Sequence, residues 1–380
     1  VRLVRPSRKS DGGLLVRLLI CAGGTGGGVY PALAVLEALQ AKLSPPDLQV
    51  LWVGGQGGME EELVSRAGIP YRSIPAAGVH GVGLARLPGN VVQLVRGYFA
   101  ARRIVREFRP QVLFFTGGYV AVPVALAAVG RPMLLTVPDI EPGLALKVLA
   151  RFATQITVPV EASRRYFPKN ASLAVTGYPV RRTLRRWERE QAHQALNLNG
   201  ELPTLLVFGG SKGAHSINLA LLANLEALLQ EAQVVHISGR LDWPKVEERW
   251  KRLPETLRSR YHPHPYLHDE MGAALAAADL VVSRAGASIL GEFPLFGVPA
   301  ILVPYPYAWR YQKVNADYLT QNGAAILIED AKLSSELLPQ LRALLHDSQR
   351  RGEMAANMRA LARPQAAESI AHLLLSLQEK

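Results

Sequence analysis

Apolar residues along this chain fall into short solid runs that end in glycine, and between the runs they recur every three or four positions. A solid run of four to eight apolar residues reads as a strand buried on both faces; the wider spacing reads as one face of a helix. Leu14–Ala22 is such a run, and Pro31–Leu43 follows with Leu33, Leu36 and Leu39 at helical spacing. Gln49–Val53 is a second strand, ending in Gly54 and Gly55, and Met59–Ala67 a short helix. Asn90 is placed to cap a helix that reaches about Phe108. Strands are expected at Gln111–Phe115, Met133–Val137 and Gln155–Val158. The pattern then restarts: Thr204–Phe208 is a strand, a helix runs to about Leu229, and Gln233–Ile237, Leu280–Ser283, Ala300–Pro304 and Ala325–Ile328 are strands. The tail Leu361–Leu377 reads as a helix.

Strand and helix alternating in this way imply parallel sheets with helices on both faces. A chain of 380 residues is too long for one core. The expected fold class is therefore α/β, two doubly wound Rossmann-like domains. Residues 1–14 form a basic tail, 15–176 the first domain and 177–380 the second, the joint falling at Gly177-Tyr178-Pro179 and the basic run Arg181–Arg189. The last helix is free to pack back on the first domain. No repeat of 20–50 residues occurs.

Composition narrows the function. The apolar share is 49% and the charged share 19%, which excludes a disordered chain. A net charge of +12 points to an anionic partner: nucleic acid, acidic membrane or phosphorylated substrate. One cysteine, Cys21, excludes a disulfide framework and a cysteine metal cluster, and suits a reducing cytoplasm. No apolar stretch reaches the 18–20 or so residues of a membrane-spanning helix. Val1–Gly13 lacks the apolar region and cleavage site of a secretory leader. The chain opens on Val1, which leaves its true start open.

Ligands of open parallel sheets bind beyond the carboxyl ends of the strands, and several of those ends here are glycine turns. Gly23-Gly24-Thr25-Gly26-Gly27-Gly28 has five glycines in six residues, more than a tight turn needs; glycine lets backbone approach a ligand and the next helix offers free N–H groups to an anion. The dinucleotide pattern G-x-G-x-x-G fails in register at Val29, the second strand ends in Gly54-Gly55 and lacks the acidic residue that would hold a ribose, and no P-loop lysine motif occurs. No zinc-like spacing is present, and His262, His264 and His268 read as isolated, solvated loop histidines. No metal or cofactor is called for. Further turns lie at Gly209-Gly210-Ser211-Lys212-Gly213-Ala214 and Ser283-Arg284-Ala285-Gly286-Ala287-Ser288, the latter leading into a helix with Glu292 about one turn inside it. A carboxylate there suits either a ribose diol or the positive end of the helix dipole.

These turns, together with Pro31-Ala32-Leu33-Ala34, Thr116-Gly117-Gly118-Tyr119-Val120, Gly177-Tyr178-Pro179-Val180-Arg181, Gly297-Val298-Pro299, Val303-Pro304, Gln312 and Asn315-Ala316, run in the order of one family over residues 15–330. The chain resembles the MurG family, bacterial glycosyltransferases that move N-acetylglucosamine from UDP-GlcNAc onto lipid I (undecaprenyl-pyrophosphoryl-N-acetylmuramoyl-pentapeptide) to make lipid II. The resemblance implies a GT-B fold with its two domains facing a deep cleft, the first for acceptor and membrane, the second for the UDP-sugar. It implies that Arg181, Ser211, Leu267, Ala287, Ser288, Ile289, Leu290, Gly291, Glu292 and Gln312 bind the donor. Ser211 would touch the diphosphate, the Leu267 backbone the uracil, Glu292 the ribose and Gln312 the sugar. Gly24, Thr25, Gly26, Gly27, Thr116, Gly117, Gly118 and Tyr119 would hold the acceptor pyrophosphate, with Thr25, Gly26 and Gly27 also reaching the donor.

The chain departs from the family at three places. Gly28 stands where a histidine is usual. Thr136-Val137-Pro138-Asp139 replaces His-Glu-Gln-Asn, so Asp139 takes the position of the asparagine that meets the donor sugar. Where paired glutamines are common, Tyr311 precedes a single Gln312. An inverting transfer needs a base for the acceptor hydroxyl and a stabilised diphosphate; Asp139, with Glu141 second, is the candidate base, and the loop N–H groups and Ser211 serve the leaving group without metal. Leu84, Leu87, Val91, Leu94, Val95, Tyr98 and Phe99 interleave with Arg86, Arg96, Arg102, Arg103 and Arg106, a cationic amphipathic surface suited to the anionic inner leaflet of the cell membrane, cytoplasmic side. Alternatives are a related transferase acting on another lipid such as diacylglycerol, a non-catalytic UDP-sugar-binding protein, and a nucleic-acid binder; the last lacks any recognition motif, so no nucleic acid is expected.

Overall fold

The computed structural model describes residues 15–23, 26–58, 60–77, 87–210 and 213–378. Among them the solid apolar runs are strands. β1 (Val16–Ala22), β2 (Leu48–Gly55), β3 (Tyr71–Ile74), β4 (Val112–Gly117), β5 (Met133–Thr136), β6 (Gln155–Val158) and β7 (Leu173–Val175) form a sheet in the order β3-β2-β1-β4-β5-β6-β7. β8 (Thr204–Phe208), β9 (Gln233–Ile237), β10 (Tyr261–His264), β11 (Leu280–Ser283), β12 (Ala300–Leu302) and β13 (Ala325–Leu327) form a second, ordered β10-β9-β8-β11-β12-β13. β1 pairs in parallel with β2 and β4, and β8 with β9 and β11.

Two-sided burial explains why these strands read as unbroken apolar runs. Along β8, Leu205 and Val207 enter one core and Leu206 and Phe208 the other. The three strands that sequence periodicity misses, β3, β7 and β10, are short and at sheet edges, where partial exposure removes the need for a solid run.

Helix boundaries differ from expectation where turn chemistry outranks periodicity. The first helix is Gly26–Gln40, so Pro31 lies inside it rather than at its start. The helix expected from an Asn90 cap is Leu87–Phe108, which puts Asn90 in its first turn. The helix after β8 is two, His215–Ala223 and Leu225–Leu229, parted at Asn224. The tail helix is Ala366–Gln378. By contacts the chain divides into two compact units. One holds the described residues through Thr136, with Ala145–Gln155 and those from Ile370 on; the other holds Val137–Leu144 and Ile156–Ser369.

Strand order locates the candidate sites. In each sheet the chain starts near the middle, runs to one edge, and returns to the other side of its first strand. The crevices of doubly wound sheets open at these reversals, here between β1 and β4 and between β8 and β11.

Candidate functional site

At the first reversal two glycine turns meet. The helix Gly26–Gln40 follows β1 and places Gly26 and Gly27 in its opening turn. Thr116, at the end of β4 and fully buried, donates its hydroxyl to the Gly28 carbonyl at 2.6 Å. Gly118 has φ +92°, and a Cβ there would stand 2.9 Å from the Gly23 carbonyl oxygen. The backbones of the two turns thus touch at a position only glycine fits. Tyr119 beside them is half exposed. Gly24 and Thr25, both expected site residues, lie outside the described residues. The region also holds an acid that sequence reasoning passes over. Glu60 heads the helix Glu60–Arg66, is 2% exposed, and accepts the Gly55 N–H at 2.9 Å. Burial and this carboxylate together push the Cys21 thiol well up, which keeps it protonated.

At the second reversal the turn after β8 closes on the end of β9. Gly213 has φ +78°, and a Cβ there would collide with the Ser238 carbonyl. Ser211 lies outside the described residues. Behind the turn is a closed polar network. The Asn218 amide donates to the Ser238 carbonyl at 2.8 Å and to Asp242 at 2.7 Å, so its oxygen faces His236 Nε2 at 3.0 Å. His236 Nε2 is therefore a donor, and Nδ1 accepts from the Tyr261 hydroxyl at 2.7 Å. Burial drives His236 down to about 3, which holds it neutral. His262 and His264 are not loop histidines: they lie on β10, and burial lowers both, His262 to about 4.

After β11 the chain makes a short 3-10 turn, Ala287–Leu290, breaks at Gly291, and opens a new helix at Glu292. Glu292 is therefore the first residue of its own helix, not one turn inside a longer one. A Cβ on Gly291 would press on Tyr178 and Val180, so this break is packed directly against the segment that carries Arg181. Burial raises Glu292 to about 7, opposed by the nearby positive charge of Arg181 and by a hydrogen bond from Ser288. Ala287, Ile289 and Leu290 are buried in the core below. Leu267 is half-buried and packs on that same core. Gln312 does not stand free: its side-chain oxygen accepts the Tyr305 N–H at 2.9 Å, which leaves its NH2 as the group able to meet a sugar.

Asp139 and Glu141, two residues apart, have different surroundings. Glu141 is 3% exposed and ion-paired with Arg310 at 2.6 Å. Asp139 keeps partial access to solvent, and its Oδ1 accepts from the Asn315 amide at 2.8 Å. Burial raises its carboxyl, and the Asn315 bond pulls it back. A carboxylate held near the protein surface with a raised pKa suits proton abstraction better than one locked in an ion pair. Sequence pattern does not mark Asn315 as a site residue; its value shows only in the fold, since it lies 176 residues from Asp139. Among the described residues, no group of three or more His, Cys, Asp or Glu is placed to hold a metal.

Residues 18–158 match the glycosyltransferase family 28 N-terminal domain and residues 204–372 its C-terminal domain. Both reversals, and the turns built on them, fall within these matches. The chain belongs to glycosyltransferase family 28, and its two parallel α/β units are those of a GT-B fold. It is 40% identical, over 98% of each chain, to the UDP-N-acetylglucosamine--N-acetylmuramyl-(pentapeptide) pyrophosphoryl-undecaprenol N-acetylglucosamine transferase of Roseiflexus sp.. The same transferase of Desulforamulus reducens is 38% identical, covering 93% of this chain and 97% of its own. Among solved structures, MurG of Acinetobacter baumannii superposes with a TM-score of 0.70 at 29% identity, covering 95% of this chain and 99% of its own.

Proposed function

We propose that this protein transfers N-acetylglucosamine from UDP-GlcNAc to undecaprenyl-pyrophosphoryl-N-acetylmuramoyl-pentapeptide, lipid I, and so makes lipid II for peptidoglycan. The observation that carries this reading is end-to-end likeness to named transferases of this specificity, at 40% identity over 98% of the chain.

The chain's own residues supply the chemistry. An acceptor hydroxyl attacks the anomeric carbon of the donor sugar while the bond to the diphosphate breaks. Asp139 takes the hydroxyl proton as general base; Glu141, committed to Arg310, anchors the same turn. The turn Gly209–Ala214, with Ser211 and the N–H groups opening the helix His215–Ala223, stabilises the departing diphosphate. Glu292 receives the ribose hydroxyls, Arg181 lies within electrostatic reach of Glu292, and Gln312 turns its NH2 to the sugar. The N–H groups that open the helix Gly26–Gln40 and those of Thr116–Tyr119 hold the acceptor pyrophosphate. No step is routed through a metal.

The acceptor is lipid-borne, and the helix Leu87–Phe108 offers a membrane surface. Its Val91, Val92, Val95 and Phe99 are exposed, and Arg96, Arg102, Arg103 and Arg106 are exposed beside them. An apolar ridge flanked by arginines docks on an anionic leaflet without crossing it; no described helix is long and apolar enough to span. Leu84 and Arg86, counted with this surface from sequence, lie outside the described residues.

One assay tests the reading: labelled UDP-GlcNAc with lipid I or diacylglycerol as acceptor. Lipid II formation is the expected result. Glycosylated diacylglycerol would transfer the reading to another lipid, and donor binding without product would make this a UDP-sugar-binding protein.

A further inference from the structure

The turn after β5 and the turn after β11 are joined by one side chain. Asn315, on the helix Trp309–Gln321, is fully buried and makes three hydrogen bonds. Its Nδ2 donates to Asp139 Oδ1 at 2.8 Å and to the Ala285 carbonyl at 3.2 Å. Its Oδ1 accepts the Ile140 N–H at 3.1 Å. Two of the three partners accept and one donates, so the amide fits in only one orientation. Ala285 belongs to the turn that leads to Glu292, and Asp139 is the candidate base. We infer that Asn315 is the positioning residue of this site: it fixes which oxygen of Asp139 is occupied by protein and which is left for substrate, and it ties that carboxylate to the donor turn.

This deepens the proposed function and rests on it for its role in turnover, though the geometry can be tested without turnover. The chemistry of the amide has a direct consequence. A buried carboxylate is discouraged from ionising, and an N–H bond to it favours the ionised form. Two residues on from Asp139, Glu141 is ion-paired with Arg310, and on the helix of Asn315 Lys313 is ion-paired with Asp317. Asn315 is thus the neutral group whose hydrogen bond opposes the cost of burial at Asp139.

In the unaltered protein, the Asn315 side-chain amide resonance should titrate with the Asp139 carboxyl carbon, the two sharing one midpoint by NMR. In Asn315→Ser and Asn315→Ala, checked for folding by thermal melting and UDP binding, the Asp139 midpoint should move to higher pH. An amide signal that ignores Asp139, or a midpoint unmoved in a folded variant, overturns the inference. The rate profile then separates the two readings. If Asp139 is the base, the acidic limb of kcat against pH moves up in the Asn315 variants, with turnover on that limb falling about tenfold; a merely structural loss scales the profile without moving the limb. If Asp139→Asn keeps wild-type turnover while the NMR midpoints still shift as stated, the base assignment fails and the positioning stands.

Discussion

At the reversal of the first sheet, the groups brought together are mostly backbone: the Gly23 and Gly28 carbonyls, Gly118 and the hydroxyl of Thr116, with one buried acid, Glu60, beside Gly23 and Gly55. At the reversal of the second sheet and the segment packed with it, they are ionisable or amide side chains, several with protonation altered by burial: Asp139, Glu292, Asn315 and His236. The difference matches two tasks. Holding a diphosphate asks for N–H groups at close approach, and the glycines let the N–H groups that open the helix Gly26–Gln40 stand close. Breaking a glycosidic bond asks for a proton acceptor and a differential grip on the leaving nucleotide, which needs side chains with displaced pKa values. The contrast supports the proposed division of labour, with the acceptor on the first unit and donor chemistry on the second.

The largest effect should come from Asp139→Asn. Removal of a general base costs about 10²–10⁴ in turnover. Donor affinity by isothermal titration should change little, since the amide keeps the shape and one hydrogen-bond oxygen. Wild-type turnover would remove Asp139 from the chemistry and leave the second unit as a binding module.

Next is the backbone contact in the first unit. Gly118→Ala forces a side chain into φ +92° and sets its Cβ 2.9 Å from the Gly23 carbonyl. Strain of this kind costs on the order of 2–3 kcal/mol. The melting temperature should fall, and the Michaelis constant for lipid I should rise more than that for UDP-GlcNAc. Equal changes in the two would mean that the turn is structural and not specific to the acceptor.

How far this contrast is legible in sequence depends on how local each feature is. The central strands β4, β6, β8, β9 and β11 stand out because both of their faces are buried, which leaves few polar positions. The edge strand β7 is half-buried along its length and leaves no such run. Glycine turns are visible one by one, but their contact is between residues 95 apart, Gly23 and Gly118, and only sheet order makes it. Glu60 looks like one of three surface acids, Glu60-Glu61-Glu62; the fold turns the first inward and leaves the other two outside. Asp139 is visible as a departure from its family's pattern, whereas Asn315 reads only as part of a motif, because a buried amide announces nothing until its partners are placed.

A smaller effect is expected at Glu292. The folded protein raises this carboxyl from 4.5 to about 7, so between those values the folded state holds more proton than the unfolded. Its contribution to stability is therefore present at low pH and is lost as pH rises toward 7. Ribose hydroxyls donate to the ionised form, so UDP binding near pH 7 should release part of a proton. Titrations in two buffers of different ionisation enthalpy would show it as a buffer-dependent heat. Glu292→Gln should abolish the release and weaken UDP about tenfold, a loss of about 1.4 kcal/mol, and leave the lipid I constant alone. Unchanged affinity would reduce Glu292 to a residue that complements its helix.

The smallest expected effect sharpens the comparison within the first unit. Gly28 stands where the family usually has histidine, and it would be easy to suppose that close packing requires glycine there. The geometry says otherwise. Its φ is not positive, and a Cβ would meet the Gly23 carbonyl at 3.4 Å and the Thr116 hydroxyl at 3.8 Å, both ordinary contacts. Gly28 also lies in the first turn of a helix, where alanine is preferred over glycine by about 0.5–1 kcal/mol in a helix interior and less near an end. Gly28→Ala should therefore leave stability unchanged or raise it by about 0.5 kcal/mol, read as a melting temperature at or slightly above wild type. Gly118→Ala, which alters the other side of the same junction, should fall well below. If Gly28→Ala is as damaging as Gly118→Ala, the junction needs glycine on both sides and the loss of the family's histidine is steric. If it is silent, that position is free to carry a side chain, and glycine is required on the Gly118 side of the junction alone.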